Sequence, residues 1–125
     1  MRIELYSTYW AQVTLVITLT ALIGLLEFFS DLTRPVLSVS RDMFLNGEYW
    51  RVLTANLVHM GPEHTKMNAI GIVLVACVFA SVMTVPHFLW ASFISGLAVG
   101  AGWVILMPPA HEYVGYSGIL HGLFG

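Results

Sequence analysis

Between Met67 and Ala110 the sequence runs for 44 residues without an Asp, Glu, Lys or Arg. A helix needs about 20 apolar residues to cross the hydrocarbon core of a bilayer, so this run holds two crossings. An earlier uncharged run, Leu5 to Leu26, holds one more. A soluble domain of this length could not cover so much apolar surface within one core. Only 10% of the residues are charged, against roughly 25% in soluble domains. The pattern therefore predicts an all-α membrane protein in contact with the lipid bilayer. A net charge of −2 offers nothing to a nucleic-acid partner. The single cysteine, Cys77, cannot form an intrachain disulfide and reads as a small helix-packing residue. The N-terminal run is longer than a signal-peptide core, and no small-residue cleavage site follows it cleanly.

The first span is expected over 10–29, with Tyr6, Tyr9 and Trp10 as an aromatic anchor at its start. Glu27, Asp31 and Arg34 mark its other end, and Pro35 is expected to prevent the helix from continuing. Residues 30–62 then mix Asp31, Arg34, Arg41, Asp42, Glu48 and Arg51 with Phe44, Tyr49, Trp50, Leu53 and Leu57. That is too apolar for a disordered linker, and it reads as an amphipathic, partly helical connection at the membrane surface. A second span is expected over 63–84, opened by Pro62 and Glu63. A third is expected over 87–107, after Pro86, and a fourth helix begins near 116. Gly96, Gly100 and Gly102 in the third span are small residues that let helix backbones approach closely in lipid. Because the chain stops within an apolar helix, whose carbonyls would be unsatisfied in lipid, a truncated bundle is expected: three complete spans and the start of a fourth.

Ionisable and amide side chains are costly inside a membrane, so each needs a reason. His64 and Asn68 stand at i and i+4 on one helix face, where two donors aimed at one point can hold an oxyanion. The alternative is a wet helix-end imidazole and an Asn bonded to a neighbouring helix. Gly115-Tyr116-Ser117-Gly118 places a serine at the opening of the fourth helix, near free backbone N–H groups and the positive end of the helix dipole. Gly115 and Gly118 permit a tight entry and close approach. That suits a nucleophile, and it also suits a plain helix cap. His121, four residues on, shares the face of Ser117, but side chains one turn apart run side by side and seldom align as nucleophile and base. It reads as polar support. His59, His64 and His121 do not complete a sensible metal set. No cofactor is implied.

The run Glu48-Tyr49-Trp50-Arg51-Val52-Leu53-Thr54, followed by His59, His64 and Asn68, resembles the first loop and second helix of rhomboid proteases. Gly115-Tyr116-Ser117-Gly118 resembles that family's Gly-X-Ser-Gly nucleophile motif, and the joint order and spacing carry more than any one element. The run Tyr113 to Gly122, with His121 where many rhomboids have an aromatic residue, looks most like the rhombosortase branch. The resemblance implies a rhomboid-like helical bundle and an intramembrane serine endopeptidase. Ser117 would be the nucleophile, with His64, Asn68 and the Ser117 backbone N–H holding the oxyanion. Trp50, Arg51 and His59 would shape the first loop. The family's general base is a histidine on its sixth helix, which these residues do not include, so the fragment alone is expected to be inactive. The partner implied is a membrane-anchored protein substrate, for rhombosortases one with a C-terminal Gly-Gly-type sorting tail, at the bacterial inner membrane. The site would face the extracytoplasmic side, although positive-inside counting of the connection's arginines favours the opposite orientation.

Three other classes compete. An inactive rhomboid-like protein that binds membrane proteins would not need the His64, Asn68 and Ser117 set. A small transporter or channel subunit would line a path with these polar groups. A membrane anchor without chemistry leaves Asn68 unexplained.

Overall fold

The computed structural model describes residues 2–125, with side chains from Thr8 onward; the expected anchor residue Tyr6 lies outside the described side chains. Helices α1 (Arg2–Phe28), α5 (Pro62–Phe79), α6 (Val85–Leu106) and α7 (Ser117–Phe124) form the bundle. Three short helices, α2 (Ser30–Leu37), α3 (Arg41–Leu45) and α4 (Arg51–Thr54), fold the connection between α1 and α5. Among the described residues the only strand-like pairing is one antiparallel bridge, Val39 with Tyr113.

Two helical stretches are long and apolar enough to cross a bilayer, Thr8–Phe28 and Val85–Leu106. Their outward faces carry Ile17, Leu25, Leu89, Trp90, Ile94 and Leu97, all exposed, a surface that water would oppose and lipid accepts. Helix α5, with 18 residues, is about 27 Å long. Its first two turns hold Glu63, His64, Lys66 and Asn68, so its apolar part starts at Ala69. The helix ends at Phe79, short of the expected residue 84. Thr84 instead opens the next helix, its hydroxyl accepting from the His87 N–H, and Gln12 of α1 donates to the carbonyls of Ala80 and Met83 at 3.2 and 2.7 Å. A side chain from another helix thus satisfies carbonyls that the end of α5 leaves open.

One core joins α1, α5, α6 and α7 through Ile23, Ile72, Val75, Phe88, Ile119, Leu120 and Leu123. A second, of Val39, Val52, Ala55, Val104 and Tyr113, fastens the connection to the far end of α6. Close approach is made at glycines. A Cβ on Gly100 would stand 2.2 Å from the Val52 carbonyl oxygen, and one on Gly122 would meet Ser95 Oγ at 2.3 Å. Gly96 likewise faces Ile119 and Asn56, whereas Gly102 has nothing within 4 Å and takes no part in the contact expected of it.

Two further expectations are corrected. Pro35 does not stop the helix at the end of α1. The chain turns at Phe29 and a new helix carries Pro35 inside it, ending two residues later. Cys77 is exposed rather than packed: it lies two residues past buried Val75, a step of about 200° around the helix.

The connection is held by its arginines. Arg34 Nε donates to the His59 carbonyl at 2.9 Å. Arg41 donates to the carbonyls of Val104 and Ile105 at the end of α6, where a cation also meets the negative end of the helix dipole. Arg51, 7% exposed, pairs with Glu48 and donates to Pro35 and Ser38 carbonyls at 3.0 and 2.8 Å.

Candidate active site

The loop from Met107 to Tyr116 has no regular structure of its own, so its position depends on what ties it down. Val39 and Tyr113 exchange two backbone hydrogen bonds, at 3.3 and 2.8 Å. The Gly115 N–H donates to the Ala55 carbonyl at 2.9 Å. The buried Tyr113 hydroxyl lies 2.8 Å from the Gly115 carbonyl and 3.3 Å from Asn56 Oδ1. Asn56, 1% exposed, has its Nδ2 within hydrogen-bond distance of the carbonyls of Val52, Leu53 and Gly96, which share its two hydrogens. Burial pushes the Tyr113 hydroxyl pKa up, the Gly118 backbone N–H opposing it, which keeps it a neutral donor. The Tyr116 N–H donates to His59 Nε2 at 3.3 Å. These ties deliver Ser117 as the first residue of α7.

Gly115 has φ +121°, a conformation open to glycine, and it is also a point of contact. A Cβ there would stand 2.7 Å from His64 Cε1, 3.1 Å from His64 Nε2 and 3.7 Å from Ser117 Oγ. The imidazole on α5 and the hydroxyl on α7 therefore border one spot. Asn68, 3% exposed, lies one turn below His64 and donates Nδ2 to the His64 carbonyl at 3.0 Å. A carboxamide nitrogen carries two hydrogens, so one remains to donate elsewhere. Among the described residues no hydrogen bond reaches the Ser117 hydroxyl or the His64 ring nitrogens.

His121 does not engage the serine hydroxyl. Its Nδ1 lies 2.7 Å from the Ser117 backbone carbonyl, one turn back along the same helix. His59 is 1% exposed and its ring stands edge-on to that of His64, centroids 5.2 Å apart. Burial, and then the His64 charge, lower its pKa to about 4, with the Leu57 carbonyl opposing. That carbonyl is close enough to favour the protonated ring slightly, yet no hydrogen bond of ordinary geometry meets His59 Nδ1. Arg51 holds the connection as described, while Trp50 is half exposed, its ring 5.9 Å from the Arg51 guanidinium carbon. Gly118 lets α7 sit against Val99 and the Tyr113 hydroxyl.

Sequence reasoning missed Asn56, Tyr113, Gln12 and Arg41 as organising residues. Asn56 had a signal, a carboxamide set among Ala55, Leu57 and Val58. Gln12 had one too, within an apolar span. Neither signal says which distant carbonyl is the partner.

A hydroxyl at a helix N-terminus borders an imidazole across a glycine, with the buried Asn68 carboxamide one turn below that imidazole. These are group types that serve acyl transfer as nucleophile and oxyanion donors. A family model described as the rhomboid domain matches residues 46–125. The chain is also 30% identical to the protein named "Putative rhomboid protease YdcA" of Bacillus subtilis (strain 168). That match takes in all of this chain and 66% of the relative, so the chain spans just under two thirds of that relative's length. No solved structure matches.

Proposed function

The chain belongs to the rhomboid family, and on that premise we propose that it carries the serine half of an intramembrane endopeptidase acting on membrane-anchored proteins. The observation that carries this reading is the shared border of His64 and Ser117 at Gly115. Ser117 Oγ attacks a substrate carbonyl, and its proton passes to a histidine. His121 is turned to the Ser117 carbonyl, so the base is proposed to be the sixth-helix histidine of the family, beyond Gly125 in sequence. His64, the spare Asn68 N–H and the Ser117 backbone N–H receive the negative oxygen. Removing one such donor typically costs about 10²–10³ in rate. As the peptide C–N bond breaks, the amine leaves with the proton held by that histidine. Water then hydrolyses the acyl-enzyme to release the carboxylic acid and restore the Ser117 hydroxyl.

We further propose a bacterial inner-membrane location with α1 starting in the cytoplasm, and with the connection and the loop before α7 outside, where water reaches Ser117. Positive-inside counting opposes this. Each of the three arginines, however, donates to backbone carbonyls within the fold, so they serve as structural donors rather than free topogenic charges. The finer proposal is a rhombosortase-like substrate with a C-terminal Gly-Gly-type tail, supported by the run Tyr113 to Gly122. Two experiments decide. Full-length protein in proteoliposomes is treated with a fluorophosphonate and the adduct is mapped; an adduct at Ser117 is expected, and none there overturns the reading. Co-expression with a tailed membrane protein and its tail-less counterpart tests the finer one, since equal cleavage of both refutes tail recognition.

A further inference from the structure

We propose that His59 is a positioning residue for Ser117: it acts as a neutral hydrogen-bond acceptor that holds the Tyr116 N–H and so sets the turn presenting the nucleophile. For its activity readout this rests on the protease reading; its structural content does not.

The chemistry follows from one contact. A backbone N–H is always a donor, so His59 Nε2, which receives it at 3.3 Å, must carry a lone pair. The ring proton then sits on Nδ1, and the tautomer is assigned by the backbone rather than by a carboxylate. Tyr116 directly precedes Ser117 and is the N-cap of α7, with no side-chain cap of its own. An N-cap N–H has no partner inside its helix, so the imidazole from the connection fills that role from outside. The other ties on this turn, Gly115 N–H to Ala55 and the Tyr113 hydroxyl to the Gly115 carbonyl, use groups that do not titrate near neutrality. His59 is the tie that can be lost by adding a proton, because protonated Nε2 becomes a second donor facing a donor.

The surroundings hold the ring in its accepting form. The residue is 1% exposed. From α5 it faces the His64 ring. From α2 comes Arg34, whose guanidinium donates to the His59 carbonyl and lies 4.0 Å from Glu27 of α1. From α7 it meets the Tyr116 N–H. The only anionic group among these, Glu27, is shared with Arg34. Burial and the neighbouring imidazole keep the ring neutral down to about pH 4.

The test compares full-length wild type with His59→Gln, whose side-chain oxygen reaches the same place and cannot be protonated, and with His59→Leu, which has no acceptor. The ¹⁵N side-chain spectrum of wild type at neutral pH should show His59 with its proton on Nδ1. In a cleavage assay His59→Leu should lose about 10²-fold in kcat, the scale of a small misplacement of a reacting group, with KM changed less than about threefold. His59→Gln should recover at least about tenfold of that loss. An Nε2–H tautomer in wild type overturns the proposal, as does a folded His59→Leu with wild-type kcat, or a His59→Gln no better than His59→Leu. If His59→Leu does not fold, the wild-type spectrum and the His59→Gln kcat still decide. If wild type neither cleaves nor labels at Ser117, the protease reading fails on its own, and the spectrum still decides the tautomer.

Discussion

The His64 imidazole lies directly against Gly115, its Cε1 only 2.7 Å from where a Cβ would stand, with Ser117 Oγ 3.7 Å from the same point. Any side chain at Gly115 would push between them, at a backbone φ of +121° that L residues rarely adopt. Gly115→Ala is therefore expected to lower stability by about 1–3 kcal/mol and to remove cleavage. Thermal melts and a cleavage assay on the full-length protein measure both, and an active, equally stable variant would refute the contact.

Ser117→Ala should abolish cleavage and fluorophosphonate labelling, since it removes the hydroxyl that borders the spot. His121→Ala should cost less than about tenfold, because its ring is bonded to a backbone carbonyl and not to the hydroxyl. A loss as deep as that of Ser117→Ala would give His121 the role of base.

Asn68→Ala should lower kcat by about 10²–10³ with little change in KM, the signature of a donor used in the transition state. His64→Ala should do the same, and the double variant should fall short of the product of the two, because both serve one oxygen. A change confined to KM would place these groups in substrate binding.

Gly100→Ala should lower the melting temperature, because the added methyl meets the Val52 carbonyl, which belongs to backbone and cannot swing aside. About 1–3 kcal/mol is the usual cost of overpacking. Gly102→Ala meets nothing and should gain up to about 1 kcal/mol from helix propensity. Equal melting temperatures for the two variants would contradict the packing of α4 on α6.

The lowered pKa of His59 makes stability depend on pH in a defined window. The unfolded chain takes up a proton near the ordinary value of 6.5, the folded one only near 4, so between these values the unfolded state binds more protons. The His59 contribution is complete above about pH 6.5 and is lost as pH falls towards 4. The difference in melting temperature between wild type and His59→Gln, followed across that window, should therefore shrink or change sign on acidification. A constant difference would show that His59 titrates normally.

Much of this was legible in one dimension because it depends on local chemistry. Uncharged runs longer than a bilayer core marked Thr8–Phe28 and Val85–Leu106, and Pro62 and Pro86 marked where helices begin. The i, i+4 spacing of His64 and Asn68 put them on one face, and Gly115 and Gly118 announced close approach. The end of α5 was misjudged because the carbonyls there are satisfied by Gln12, 68 and 71 residues away in sequence. The packed role given to Cys77 failed because burial depends on which side of α5 a neighbouring helix covers. Residue types, spacing and hydropathy marked the two long apolar helices and nominated the polar groups. Only the folded chain decided that His64 and Ser117 share a border, that His121 turns to a backbone carbonyl, and that His59, Asn56 and Tyr113 hold the turn between them. A hydrogen bond is set by direction and distance in space, and its two ends carry no mark of each other in the sequence.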